Sequence, residues 1–173
     1  MWTYMTADWA MCYMLRDDLA MFHKLFLGHI NHASPTNGWV ECIYSDSRMG
    51  TGDMPHGWAA AEYVLLHRNL LIYENENSLE FCWGIHPDWL GDGAHLAIKH
   101  APTRYGKVDF DLSRSGSMLI FEHRLVSGPE QSAPSKILLH IHPLTRKEIR
   151  SVRLNGKVRL LSAGESILSI NRP

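Results

Sequence analysis

The chain has 173 residues, 45% hydrophobic and 20% charged, which suits one domain or two small ones with a core that needs no disulfide or metal staple. A net charge of -1 with His neutral excludes the global basic field of a nucleic-acid or anionic-lipid binder. No run approaches the ~20 apolar residues of a membrane-spanning helix, and Trp2 and Tyr4 follow Met1 with no basic leader.

Residues 2–15 read as a helix, because Trp2, Met5, Trp9, Cys12 and Tyr13 recur at helical spacing and form an apolar stripe. Arg16-Asp17-Asp18 breaks the pattern, and either aspartate can cap a second helix by accepting from a free backbone N–H. That helix carries Leu19, Phe22, Leu25, Phe26 and Ile30 on one side and ends near His32-Ala33-Ser34, before Pro35. So short a connection predicts a helical hairpin.

Residues 34–56 form a loop too long to be a plain connector, and long structured loops are usually functional. It contains Trp39-Val40-Glu41, then SDSRMGTGD, then Met54-Pro55-His56-Gly57-Trp58. Gly38, Gly50 and Gly52 permit positive φ; Asp53 can cap the next helix, with Pro55 in its first turn. The third helix, about 57–73, is apolar nearly all round its first turns, which asks for neighbours on several sides. The expectation is either oligomerisation through these helices or further helices before Met1, with the chain starting inside a larger domain.

Beyond a boundary near Glu74 the pattern becomes β-like. Strands are expected near 79–84, 95–101, 105–112, 117–125, 136–141, 149–154, 157–161 and 166–170. Ser113-Arg114-Ser115-Gly116 and Asn155-Gly156 read as hairpin turns, the second of type I′. Residues 107–112 alternate with a period of two, and 127–135 read as a polar loop. The expected fold is therefore α+β: helices over 1–74, then an antiparallel β-sandwich over 75–173.

Three cysteines at wide spacing make neither a disulfide framework nor a zinc motif. The eleven histidines are scattered and predict a charge that changes strongly between about pH 5 and pH 7. His140 and His142 alternate on one expected strand, where a polar sheet face outweighs a zinc site lacking a third ligand. Gly50-Thr51-Gly52 is too short a pattern for a phosphate loop, and no cofactor is called for. The basic residues Arg146, Lys147, Arg150, Arg153, Lys157 and Arg159 read as a solvated sheet face.

The order of a helical hairpin ending in NHASP, a loop with Trp-Val-Glu, then GTGDMPHGWAAAEYVLLHRNLL and a β-rich tail resembles the C-terminal end of six-hairpin, (α/α)6-barrel glycoside hydrolases such as glucoamylases and α-L-rhamnosidases. The resemblance implies a carbohydrate substrate, a toroid of helical hairpins completed upstream, and a general base at Glu41, the Glu beside an aromatic before a late barrel helix. It places the general acid on an earlier hairpin, with no counterpart in these residues, so the fragment alone is expected to be inactive. It leaves the compartment open among cytoplasm, periplasm and secretion.

At such a site Trp39 either stacks on a sugar face or packs in the core. His56 either donates to a sugar hydroxyl or starts the helix, and His32 either touches substrate or caps its helix. Trp58 is expected to pack inside the barrel and to contribute to substrate binding. Asp53 reads as a cap, Asp8 as an exposed helix carboxylate, and Glu62 as a salt-bridge partner of Arg68 or Lys24.

Overall fold

The structure is a computed structural model that describes residues 1–126 and 133–170. Most of the expected loop 127–135 lies outside the described residues. The fold is α+β, and the chain forms two compact units, Met1–Leu71 and Ile72–Pro173.

The first unit holds three helices, α1 (Thr3–Leu15), α2 (Leu19–Asn31) and α3 (Gly57–Leu71). Asp18 caps α2, its Oδ1 accepting from the Met21 N–H at 3.1 Å, and Asp17 turns the hairpin with φ 59°. α1 buries Thr3, Thr6, Ala7, Ala10 and Met14. The apolar stripe read from the sequence faces the other way: Trp2, Met5 and Trp9 are 49%, 43% and 62% exposed. A helix with small residues on one side and bulky apolar ones on the other seats the small side, where backbones approach closely. α2 buries Leu19, Phe22, His23, Phe26 and His29, so two histidines take core positions and Leu25 and Ile30 are only half-buried. α3 ends at Leu71, because Ile72 already belongs to a strand. It buries Ala59, Leu66 and Leu70 and leaves Val64 and Leu65 exposed, so its expected all-round packing is not met within the unit.

A two-residue ladder crosses the long loop: β1 (Cys42–Ile43) pairs with β2 (Gly50–Thr51). The second unit begins with a hairpin of β3 (Ile72–Asn75) and β4 (Ser78–Phe81). A meander follows: β5 (His95–Thr103), β6 (Gly106–Ser115) and β7 (Met118–Val126). Then come β8 (Lys136–His140), the short helix α4 (Pro143–Arg146), the hairpin of β9 (Ser151–Leu154) and β10 (Lys157–Leu160), and β11 (Ile167–Ser169). They make a five-stranded sheet, β10-β9-β7-β6-β5, and a four-stranded sheet, β11-β8-β4-β3. The two sheets share a core in which Phe81 lies 5.5 Å from Phe110 and 5.2 Å from Phe121, ring centre to ring centre.

The alternation over 107–112 is realised, with Val108, Phe110 and Leu112 buried. Asn155 (φ 45°) and Gly156 (φ 83°) both take positive φ, as a type I′ turn requires. The expectation of purely antiparallel strands is corrected: β4 pairs with β8, and β7 with β9, in parallel. Parallel partners come from distant segments, so no local turn signal announces them. β4 is buried along its whole length, with Leu79 and Phe81 on one face and Ser78 and Glu80 on the other.

Candidate functional site

Glu41 is held through its backbone from two sides. Its N–H donates to the Asp53 carbonyl at 3.1 Å, and its carbonyl accepts from the Thr3 N–H at 3.1 Å and the Thr3 hydroxyl at 3.2 Å. The Thr3 hydroxyl also reaches the Val40 carbonyl at 2.6 Å, so one buried threonine of α1 fixes the start of the ladder. The half-buried Glu41 side chain lies over Gly52, the one loop glycine with positive φ (82°). A Cβ at Gly52 would overlap the Glu41 carboxylate, so the glycine is needed for both its backbone angle and its missing side chain. Among the described residues the carboxylate has no hydrogen-bond or ion-pair partner. It is thus an acceptor on a fixed backbone with its lone pairs unengaged.

Trp39 takes its core-packing alternative and is 2% exposed. Its ring lies parallel to His29 at 5.0 Å and 9°, and its Nε1–H donates to the His29 carbonyl at 2.9 Å. The sugar-stacking role is therefore corrected, because neither ring face is open. Trp58 is 57% exposed in this chain. It stacks on Tyr4 of α1 at 4.4 Å and 22°, and its Nε1–H donates to Glu62 at 3.1 Å. That bond replaces the expected pairing of Glu62 with Arg68 or Lys24.

His56 starts α3. Its ring Nδ1 accepts from the Ala59 N–H at 3.2 Å and its carbonyl from the Ala60 N–H at 3.2 Å. The cap expected at Asp53 thus sits three residues later, on a ring nitrogen that does the work of the usual carboxylate oxygen. His56 also lies 5.3 Å from the Tyr4 ring. His32 closes α2, its Nδ1 bonded to the Gly28 carbonyl at 2.6 Å. Asp8 is exposed on α1.

Two residues outside the expected site matter here. Tyr4 joins Trp58 and His56 in one aromatic group; its place beside Trp2 in an aromatic-rich start was the available signal. His29 is 0% exposed, and both ring nitrogens are buried without a hydrogen-bond partner among the described residues. Burial first, then the nearby His67, pushes its pKa down to about 4, with the Thr3 backbone acting against and His32 acting with them. Its signal was spacing, since residue 29 continues the face of 19, 22 and 26.

The second unit holds a separate polar cluster on one side of β4. Glu80 accepts from the His140 Nε2–H at 2.7 Å, the Ser78 hydroxyl at 2.7 Å and the Asn75 amide at 3.2 Å. Trp83 stacks on the His140 ring at 4.8 Å and 11°. Burial pushes the Glu80 carboxyl up, but the bonds from His140, Ser78 and Asn75 outweigh it and hold the carboxyl below its ordinary value. Every member is engaged with another, so the cluster is a structural network. His142 does not share the strand of His140; its ring caps α4 by accepting from the Leu144 N–H at 3.1 Å.

Nor do the basic residues form one face. Arg146 spends its guanidinium on the carbonyls of Glu165, Ile149 and Ser162, and Arg159 pairs with Glu165. Among the described residues no three His, Cys, Asp or Glu side chains converge as metal ligands. Burial pushes the Cys82 thiol up, which makes it an inert core residue.

No family model, curated protein or solved structure matches this chain.

Proposed function

We propose that this chain is the C-terminal part of a six-hairpin, (α/α)6-barrel glycoside hydrolase that acts on an oligo- or polysaccharide, and that Glu41 is its general base. The observation that carries the reading is the Glu41 carboxylate, half-buried on a clamped backbone and without a partner among the described residues. A base must be ionised and within hydrogen-bond reach of the water it activates, so a carboxylate spent on an internal bond would be poorly suited. An inverting mechanism sets the second carboxyl roughly 6.5–9.5 Å away, with water between. The resemblance puts that acid on an earlier hairpin.

Two further features support the reading. The uncovered apolar sides of α1 and α3 fit a toroid, in which each helix has neighbours on more than one side. The exposed Trp58, backed by Tyr4 and bonded to Glu62, offers the flat apolar face for a sugar that Trp39 does not. His32 lies at the helix end that the resemblance places at the rim, and His56 at the helix start where the resemblance expects a His or Thr before a Trp. The two sheets of the second unit are then the C-terminal β-sandwich.

A non-catalytic, carbohydrate-binding relative is the second reading. It is favoured by an exposed aromatic face in a unit that holds a single candidate base. In the parent protein, Glu41→Gln is expected to lower kcat about 10²–10⁴-fold, the usual worth of a general base, with the folding transition unchanged. Near-normal turnover in that variant removes the base assignment. Calorimetric titration separates the second reading, which binds oligosaccharide and releases no product even in the complete chain. The 173 residues alone are expected to hydrolyse little, and robust turnover by them would count against an acid supplied upstream.

A further inference from the structure

We propose that the uncharged ring of His29 is a positioning residue: it seats Trp39, and with it the segment carrying Glu41, on α2, and a proton on that ring unseats it. The consequence for catalysis rests on the reading of Glu41 as a base. The coupling itself is a property of the first unit and stands without that reading.

Trp39 meets His29 twice, through the parallel ring stack at 5.0 Å and through the indole N–H to the His29 carbonyl at 2.9 Å. Tyr63 of α3 adjoins both rings, 6.1 Å from His29 and 4.6 Å from Trp39. The Trp39 carbonyl then accepts from the His56 N–H at 2.7 Å, at the start of α3. Glu41, two residues on, bonds to Asp53. One buried imidazole thus underlies the joint from which both the carboxylate and the aromatic end of α3 are hung.

A neutral imidazole can sit in this stack, although its own N–H and lone pair go unpaired. An imidazolium would bring a full charge and two donors into a place where the Thr3 backbone lies near but, among the described residues, neither ring nitrogen has a partner in full hydrogen-bond geometry. Cation–π attraction to Trp39 and Tyr63 opposes eviction. Burial works against that attraction, as does repulsion from His67 on α3 and His32 on α2; only the Thr3 backbone of α1 favours the charge. Nor can the facing histidines turn in as acceptors at no cost. His67 is engaged with the Tyr63 carbonyl at 2.9 Å and His32 with the Gly28 carbonyl at 2.6 Å. His29 reaches no reacting atom; it acts through Trp39.

The test is an NMR titration of the whole chain from about pH 7 to about pH 3, following imidazole carbons and indole N–H groups. The Trp39 signal is identified by its loss in Trp39→Phe. His29 is expected to titrate far below a free imidazole, and the Trp39 N–H to lose its protection from solvent exchange at the same midpoint. The methyl signals of the second unit stay native through that step. In His29→Phe, which keeps a flat ring and removes the proton site, the Trp39 N–H stays protected across the range. Protection that persists through His29 titration overturns the proposal. So does a loss with unchanged midpoint in His29→Phe, or one that coincides with global unfolding. Should His29→Phe not fold at neutral pH, the titration of the unaltered chain decides alone. A parent enzyme indifferent to Glu41→Gln, with the coupling intact, removes the base and leaves the positioning role of His29 standing.

Discussion

Glu41 and Glu80 are carboxylates in opposite situations. Glu41 has a fixed backbone and an unengaged side chain, whereas Glu80 spends its oxygens on His140, Ser78 and Asn75. Removing a charge from each therefore has opposite consequences. Glu80→Gln breaks a buried pair and leaves His140 without its anion, at an expected cost of about 3 kcal/mol in urea unfolding. Glu41→Gln is expected to move the same midpoint by less than about 0.5 kcal/mol, as for a side chain without partners. Gly52→Ala combines a strained φ of 82° with overlap of the Glu41 carboxylate, and is expected to cost about 1–3 kcal/mol. A Gly52→Ala protein as stable as the unaltered chain would show that Glu41 does not lie over that glycine.

Helix ends give the sharpest contrast between pattern and packing. Asp18 caps α2 as its position before the apolar run suggested. Asp53 met the same composition rule and does not cap α3, because the loop continues to His56 before the helix starts. Asp18→Ala and His56→Ala are each expected to cost about 1 kcal/mol in thermal unfolding, and Asp53→Ala close to nothing. A loss at Asp53 equal to that at His56 would count against a cap made by the histidine ring. The stripe on α1 is the larger lesson at this scale. Periodicity identified the helix but not which of its sides is buried, since the side of Thr3, Thr6, Ala7 and Ala10 is less apolar than the side left uncovered. Trp9→Ser is accordingly expected to leave the stability of this chain within about 0.5 kcal/mol of its starting value.

The two units answer acid differently. His29 has a folded pKa near 4, below its unfolded value of 6.5, so the unfolded chain binds more protons between those values. The stability of the first unit is thus full above about pH 6.5, falls as pH drops toward 4, and levels off below; the shift corresponds to about 3 kcal/mol. The Glu80 carboxyl is held below its ordinary value, so its contribution is present above the unfolded value and is lost as pH falls through the folded one. The indole N–H signal of Trp39 in NMR is expected to change before the signals of the second unit do. Simultaneous loss of both would place the first acid-sensitive group elsewhere.

Legible in the chain were the three long helices in their order, the hairpin at Asp17-Asp18, the alternation of β6, the turn at Asn155-Gly156 and the division into helices and then strands, but not the β1–β2 ladder, β3 or α4. The legible features are local properties, set by periodicity, capping and the φ preferences of single residues. Contacts between distant segments settle which side of α1 is covered, that Trp39 is buried and Trp58 exposed, that β4 and β7 take parallel partners, and that His29 and the Glu80–His140 pair are buried. Each of these depends on what a distant segment brings to the same place. A tryptophan carries equal apolar area in a core or on a platform, and a histidine is polar in composition but buries readily as a neutral ring. The identity of a residue bounds the environments it tolerates, and its neighbours in space choose among them.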